Sequence, residues 1–234
     1  MGYTPCSVEP VVEPCNLLCN TDFECPVITT PNSAGNFIPK CYVPCWNTTD
    51  NASTGDPSCP NGQIEFWRGA VGPGPHSGNQ FVELNATQQA KLYQDFTAVP
   101  GSTVTISFWH AGRAGYPNNM QVSIATDILS VPLIIAGPYV GLVNTWTQHS
   151  FTYTFPSVGT AYTIIFETLD VGAGGNFLDD IQITYPAPSV TASSNSPVST
   201  GATISLACIP TGSSPFTYAW SGPDGFTSSL QNPT

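Results

Sequence analysis

The sequence predicts an all-β protein: a β-sandwich or jelly roll with a disulfide-rich N-terminal region, followed by part of a second β-sandwich. Three observations predict it. Apolar and polar residues alternate in short runs from Gln63 onward, with turn residues between the runs and no long helical period. Gly and Pro are plentiful, 21 and 23 of 234 residues, which suits strands joined by many turns. The chain also holds 12 Phe, 9 Tyr and 5 Trp, more aromatic residues than a disordered chain carries.

Residues 1–15 read as an N-terminal extension, with a short strand expected at 16–18 and a cysteine-rich insertion at about 25–60. Seven cysteines (Cys6, Cys15, Cys19, Cys25, Cys41, Cys45 and Cys59) crowd this region, and Cys208 stands alone near the end. Zinc is one reading of the Cys15-x₃-Cys19 and Cys41-x₃-Cys45 spacings. Disulfides are the favoured one, because the loops are rich in Pro and Asn and lack zinc-ribbon or finger spacing. An oxidising, extracellular setting follows from that reading.

Gln63-Ile-Glu-Phe-Trp-Arg68 and Gln80-Phe-Val-Glu-Leu-Asn85 alternate as strands do, and Lys91-Leu-Tyr-Gln-Asp-Phe-Thr97 follows before the turn Val99-Pro-Gly-Ser102. The strongest strand is Thr103-Val-Thr-Ile-Ser-Phe-Trp-His110. Its apolar face is Val104, Ile106 and Phe108, with Thr105, Ser107 and Trp109 opposite. Further strands are expected at 120–125, 133–135, 146–155, 161–169 and 176–184. Tyr185-Pro-Ala-Pro-Ser189 reads as a linker closing a domain over 16–185. Beyond it, Gly201-Ala-Thr-Ile-Ser-Leu-Ala-Cys208 and Phe216-Thr-Tyr-Ala-Trp220 have the Cys-then-Trp spacing of immunoglobulin B and C strands. Residues 186–234 are short of the length such a domain needs, so an incomplete Ig-like domain is expected, cut from a longer protein.

Charge narrows the function. Only Lys40, Arg68, Lys91 and Arg113 are cationic against 15 acids, a net charge of −11, so no basic stripe exists to meet nucleic acid. No apolar run reaches transmembrane length, and Met1-Gly-Tyr-Thr4 does not begin a signal peptide. Two acidic clusters bracket the patterned region, Asn20-Thr-Asp-Phe-Glu24 and Phe177-Leu-Asp-Asp-Ile181. Strand parity puts Asp179 on one face with Phe177 and Ile181, directed inward. An inward carboxylate without cations needs a metal or several N–H donors. A structural Ca²⁺ held by Glu24, Asp179 and Asp180 is the expectation, with capping of loop amides as the alternative.

Glycan recognition uses flat aromatic faces flanked by planar polar groups. The candidate ligand-binding residues are Trp67, Arg68, Glu83, Trp109, His110, Arg113 and Tyr116, with Tyr139 as a further aromatic. Each of the two arginines lies close in sequence to a Trp, the pairing that gives a stacked donor platform. Glu65, Glu83 and Glu167 are the acids a glycosidase would draw on. Yet no nucleophile elbow, zinc-protease helix or phosphate loop occurs, so no enzyme is expected.

The span from Asn16 to Thr184 resembles the jelly-roll carbohydrate-binding modules and galactose-binding-like domains. Asn20, Phe23 and Glu24 match their opening element, and Asp179, Asp180 and Ile181 their closing strand. His76-Ser-Gly-Asn-Gln-Phe-Val-Glu-Leu-Asn-Ala86, Tyr93-Gln-Asp95 and Phe108-Trp-His-Ala-Gly-Arg113 resemble a subgroup found in secreted cell-wall proteins. Trp220-Ser-Gly-Pro-Asp-Gly-Phe226 is similar to Ig-like repeats of large bacterial surface adhesins. The resemblance implies a secreted or cell-surface module that binds a polysaccharide or surface glycan without chemistry. It also implies neighbouring Ig-like domains and no membrane insertion. A structural segment of an adhesin and an accessory module of a polysaccharide-degrading enzyme are the alternatives.

Overall fold

The computed structural model describes residues 16–29, 35–69, 72–187, 189–211 and 216–234, together with the backbone of 3–4. The chain divides into two compact units, Met1–Thr184 and Tyr185–Thr234.

The first unit contains strands β1 (Tyr3–Thr4), β2 (Val27–Ile28), β3 (Asn36–Pro39), β4 (Asn47–Thr48), β5 (Gln63–Arg68), β6 (Gln80–Glu83), β7 (Lys91–Thr97) and β8 (Thr103–Gly112). It continues with β9 (Asn119–Ala125), β10 (Leu133–Val140), β11 (Thr147–Thr154), β12 (Ala161–Thr168) and β13 (Asn176–Thr184). Two sheets form the sandwich, one of order β10-β9-β12-β7-β4 and one of order β11-β8-β13-β6-β5-β3. Neighbouring strands in both sheets pair antiparallel. Neighbours distant in sequence, such as β8 beside β13, mark crossovers between sheets, the Greek-key connectivity of a jelly roll.

Alternation explains which face each residue takes. Phe66, Phe108 and Phe166 are fully buried. Phe108 meets Phe166 of the opposite sheet edge-to-face at 5.2 Å, so the Phe66/Phe108 face of the six-stranded sheet is the inner one. Odd-numbered neighbours such as Trp67 and Trp109 therefore stand on the outer face. That face is not left to solvent. Trp67, Phe81, Ala111 and Phe177 form a second small core, with Trp146 packed against it. Residues 72–79 cross over this core: Trp146 Nε1 donates to the Gly74 carbonyl at 2.8 Å. A side chain at Gly72 would press on Phe177 at 3.1 Å and would need the strained φ of +63°. Burial on both sides is why Ile64, Glu65, Phe66 and Trp67 are all inaccessible despite the alternating sequence.

Buried amides tie the N-terminal region to the sheets. Gln80 accepts from Ile28 N and donates to the Phe23 and Pro26 carbonyls, and Gln94 binds both backbone groups of Cys19. Disulfides Cys19–Cys45 and Cys41–Cys59 close this region, and Cys25 is disulfide-bonded as well. Cys6 and Cys15 lie outside the described residues.

In the second unit β14 (Ser189–Ser194) pairs with β15 (Leu206–Thr211), and β16 (Trp220–Ser221) with β17 (Thr227–Ser228). The strand expected from Gly201 thus begins at Leu206, and the one expected over 216–220 is confined to Trp220 and Ser221. Cys208 is a buried free thiol, and it lines one pocket together with Trp220.

Candidate functional site

Glu65 and Glu83 stand directly opposite each other on β5 and β6, on the outer face with Trp67 and Phe81. Both are buried, so both are pushed up in pKa, and the charge on Glu83 raises Glu65 further. Their partners separate them. Glu83 Oε2 accepts from Trp67 Nε1 at 3.0 Å and from Arg113 Nη1 at 2.9 Å, while Oε1 accepts from Gly175 N at 2.5 Å. Those donors oppose the effect of burial and hold the negative charge on Glu83. Glu65 is pushed up to about 9 by burial first and by the Glu83 charge second, so it carries the proton at neutral pH. With Arg113 the pair is a neutral unit: one acid, one carboxylate, one guanidinium.

Arg113 leaves the end of β8 on a loop closed by Asn118, which is buried. Asn118 Oδ1 accepts from Arg113 N at 2.8 Å, and its Nδ2 donates to the Tyr116 carbonyl at 2.9 Å. The guanidinium then lies between two rings, 4.8 Å from the Trp67 centroid and 4.6 Å from that of Tyr116. Gly174 permits this approach. A Cβ there would sit 2.9 Å from Tyr116 Cε1 and 3.2 Å from Arg113 Nη1, at a φ of +107°. Trp67 is buried whereas Tyr116 is 40% exposed. The stack therefore runs from core to surface: indole, guanidinium, phenol, anchored sideways by Glu83.

The four expected residues Trp67, Glu83, Arg113 and Tyr116 thus meet in one place; the other three do not. Arg113 stacks on Trp67 rather than on its sequence neighbour Trp109. Arg68 lies on the opposite side of β5 from Trp67 and its guanidinium donates to the Ile28 carbonyl. His110 points into the sandwich, fully buried, with Nε2 hydrogen-bonded to Asn176 Oδ1 at 2.8 Å. Burial pushes it down to about 4, so it is a neutral core imidazole and not a surface contact. Trp109 has one face already occupied by His76, stacked at 3.7 Å and 19°. Tyr139 packs on His149 and Phe108, and Glu167 pairs with Lys91 at 3.2 Å.

The acids expected to hold calcium all clasp the segment that crosses the outer face. Glu24 Oε1 accepts from Asn79 N and Gln80 N at 2.6 and 2.9 Å. Asp179 Oδ2 accepts from His76 N and Ser77 N at 2.9 and 3.2 Å, and Asp180 takes His76 Nδ1 at 2.5 Å and Ser77 Oγ at 2.7 Å. Asp179 does not share a face with Ile181. The register shifts between Asp179 and Gln182, and Asp180 has a φ of +46°, so a bulge turns Asp179 outward opposite Trp109 while Ile181 and Ile183 stay inside. Fully buried beside Asp180, Asp179 is pushed up to about 8. Among the described residues no three His, Cys, Asp or Glu side chains stand close enough to hold a metal ion.

Asn118, Gly174 and Gly175 shape the stack and escape sequence reasoning, because a buried amide and a glycine approach declare themselves only once the loops are in place. His76 lies in a segment whose sequence carries no strand signal, and Trp146, the first residue of the strand expected over 146–155, falls one residue before β11.

No protein-family model matches the chain, and no curated protein does. Solved structures do. The carbohydrate-binding module TmCBM61, solved with β-1,4-galactotriose, is 14% identical over 72% of this chain and 97% of its own, with a TM-score of 0.46. A CBM4 module is 17% identical over 71% and 98%, with a TM-score of 0.41. The cleaved adhesin domain of Lys-gingipain from Porphyromonas gingivalis is 19% identical over 65% and 95%, also at 0.41.

Proposed function

We propose that the chain is a non-catalytic glycan-binding module of a secreted or cell-surface protein, with its contact surface at Arg113 and Tyr116. The observation that carries this reading is the Trp67–Arg113–Tyr116 stack. Its outermost ring is exposed, and its guanidinium is already neutralised, so both are held in place before any ligand arrives. An exposed phenol face suits the C–H surface of a sugar ring. The guanidinium N–H groups not given to Glu83 suit its hydroxyls. Neither Glu65 nor Glu83 is exposed enough to reach a glycosidic oxygen. The sequence resemblance to carbohydrate-binding modules supports the same reading, and the disulfides support an extracellular setting. A bacterial surface adhesin with Ig-like neighbours is the wider context proposed, on the resemblance of the Trp220–Phe226 stretch.

A glycan array probed with the wild type and the Tyr116→Ala, Arg113→Ala and Trp109→Ala variants tests this. The first two substitutions are expected to weaken binding at least about tenfold, a loss of roughly 1.4 kcal/mol, and the third to leave it intact. Binding that survives Tyr116→Ala and Arg113→Ala places the site elsewhere. Absence of binding to any glycan favours a structural or protein-binding segment.

Calcium stays a separate proposal, supported by the buried Asp179, which has no Lys or Arg beside it. A cation would have to draw Glu24, Asp179 and Asp180 closer together. Scanning calorimetry in CaCl₂ and in EDTA is expected to give a higher melting temperature with calcium. Equal melting temperatures would leave the amide donors of residues 76–80 as the whole of the clasp.

A further inference from the structure

We infer that β11 is a self-association edge, where a second copy of this chain adds its own β11 antiparallel and makes one continuous sheet across a two-fold axis. The strand is the end member of the six-stranded sheet. It pairs with β8 over eight consecutive residues, Thr147 to Thr154, without a register shift. Its other edge has no strand partner among the described residues. Sheet edges are normally blunted by Pro, Lys, inward charges or bulges. The edge of the five-stranded sheet is blunted in this way: β10 contains Pro138 and two register shifts. Thr147-Gln-His-Ser-Phe-Thr-Tyr-Thr154 contains none of these devices.

Charge selects the occupant. The chain carries −11, so two copies repel over most of their surface. No Asp, Glu, Lys or Arg occurs between Asp127 and Glu167, the stretch that supplies both β10 and β11. Here two identical copies can meet without like charges, whereas an oppositely charged partner would find nothing to bind. The side chains also fit themselves. Gln148, Ser150, Thr152 and Thr154 are exposed, and Ser/Thr pairs hydrogen-bond across antiparallel strands. On the inner face His149, Phe151 and Tyr153 are only half-buried, as core residues are at an open edge. Leu133, Ile134, Val140, Leu142 and Val143 nearby in sequence are each more than half exposed. A two-fold axis perpendicular to the sheet runs midway between the two strands, setting Ser150 or Phe151, near mid-strand, opposite its own copy. A one-residue slip would put one copy's aromatics on the wrong face.

Sedimentation velocity of the full chain over a concentration series tests this. A reversible dimer is expected, converted to monomer by Ser150→Lys with Thr152→Lys. Both positions are exposed, so that variant should keep the wild-type melting temperature and near-ultraviolet spectrum. A control with the same charge change at two exposed sites away from β11, Asn51→Lys with Thr97→Lys, should still dimerise. A wild type that stays monomeric at millimolar concentration overturns the inference. So does a Ser150→Lys/Thr152→Lys variant that dimerises as the wild type does.

Discussion

Glu83→Ala is expected to remove about 3–5 kcal/mol of stability, the usual cost of breaking one side of a buried ion pair. For a domain of this size that corresponds to a melting temperature lower by roughly 10 °C. The mechanism is specific. Glu83 is 1% exposed and accepts from a guanidinium, an indole and a backbone amide. Its removal strands three donors and leaves the Arg113 charge without a counterion in a partly buried place. The small space opened beside Phe81 and Phe177 adds to the loss. Glu83→Gln keeps the volume but turns N–H groups toward donors, so it should fall between Ala and the wild type. Arg113→Ala should cost less, because Arg113 is partly solvated and Glu83 retains two donors. A double-mutant cycle should show strong coupling between the two positions. Additive losses would mean that the pair does not act as a unit.

The second large effect is loss of stability in mild alkali, and Glu65 causes it. Its carboxyl is held up to about 9 in the folded chain against 4.5 when unfolded. Between those values the folded state binds more protons than the unfolded one, so stability falls as pH rises. The fall should reach at most about 1.4 kcal/mol per pH unit from this group. The contribution is complete below the unfolded value and lost above the folded one. Asp179, held up to about 8, slopes the same way. His110 slopes oppositely: held down to about 4 from 6.5, it contributes stability above that window and loses it as pH falls through it. From pH 6.5 upward His110 drops out, and the Asp179 slope is common to the wild type and a Glu65 variant. Urea denaturation at pH 6.5, 7.5 and 8.5 should show the decline in the wild type. Glu65→Gln should show a clearly shallower one, since a neutral amide can replace the neutral acid. Parallel declines in both proteins would mean that Glu65 ionises normally.

The strands with sustained alternation were legible from sequence: β5, β7 and β13 have the expected bounds, and β8 extends only two residues further. Strands β2, β3 and β4 were not, because segments of two to four residues among Pro and Cys carry too little pattern to read. Parity worked where pairing is regular, turning Trp109 away from Phe108; the same rule puts His110 on the Phe108 face, in the core, although its residue type marks it as a candidate contact. It failed at Asp180, where one left-handed residue and a register shift reverse the face of Asp179 relative to Ile181. The stack itself mixes both cases. Its residue types could be named, but proximity in sequence paired Arg113 with Trp109 and Arg68 with Trp67. Register instead brings β5, β6 and the end of β8 together, so Arg113 finds Trp67. The protonated Glu65 depends on the same register, which sets it opposite Glu83 and which no single strand's sequence encodes.

The central claim is that glycan contact occurs at the exposed end of the Trp67–Arg113–Tyr116 stack. Its most direct test is an amide and side-chain NMR titration with the strongest glycan from the array. The account predicts saturable shifts at Arg113 Nε–H, Tyr116, Gly174 and Gly175, abolished in Tyr116→Ala, with Trp109 and His76 unmoved. Shifts centred on Trp109 and His76, or a titration unchanged by Tyr116→Ala, would contradict it.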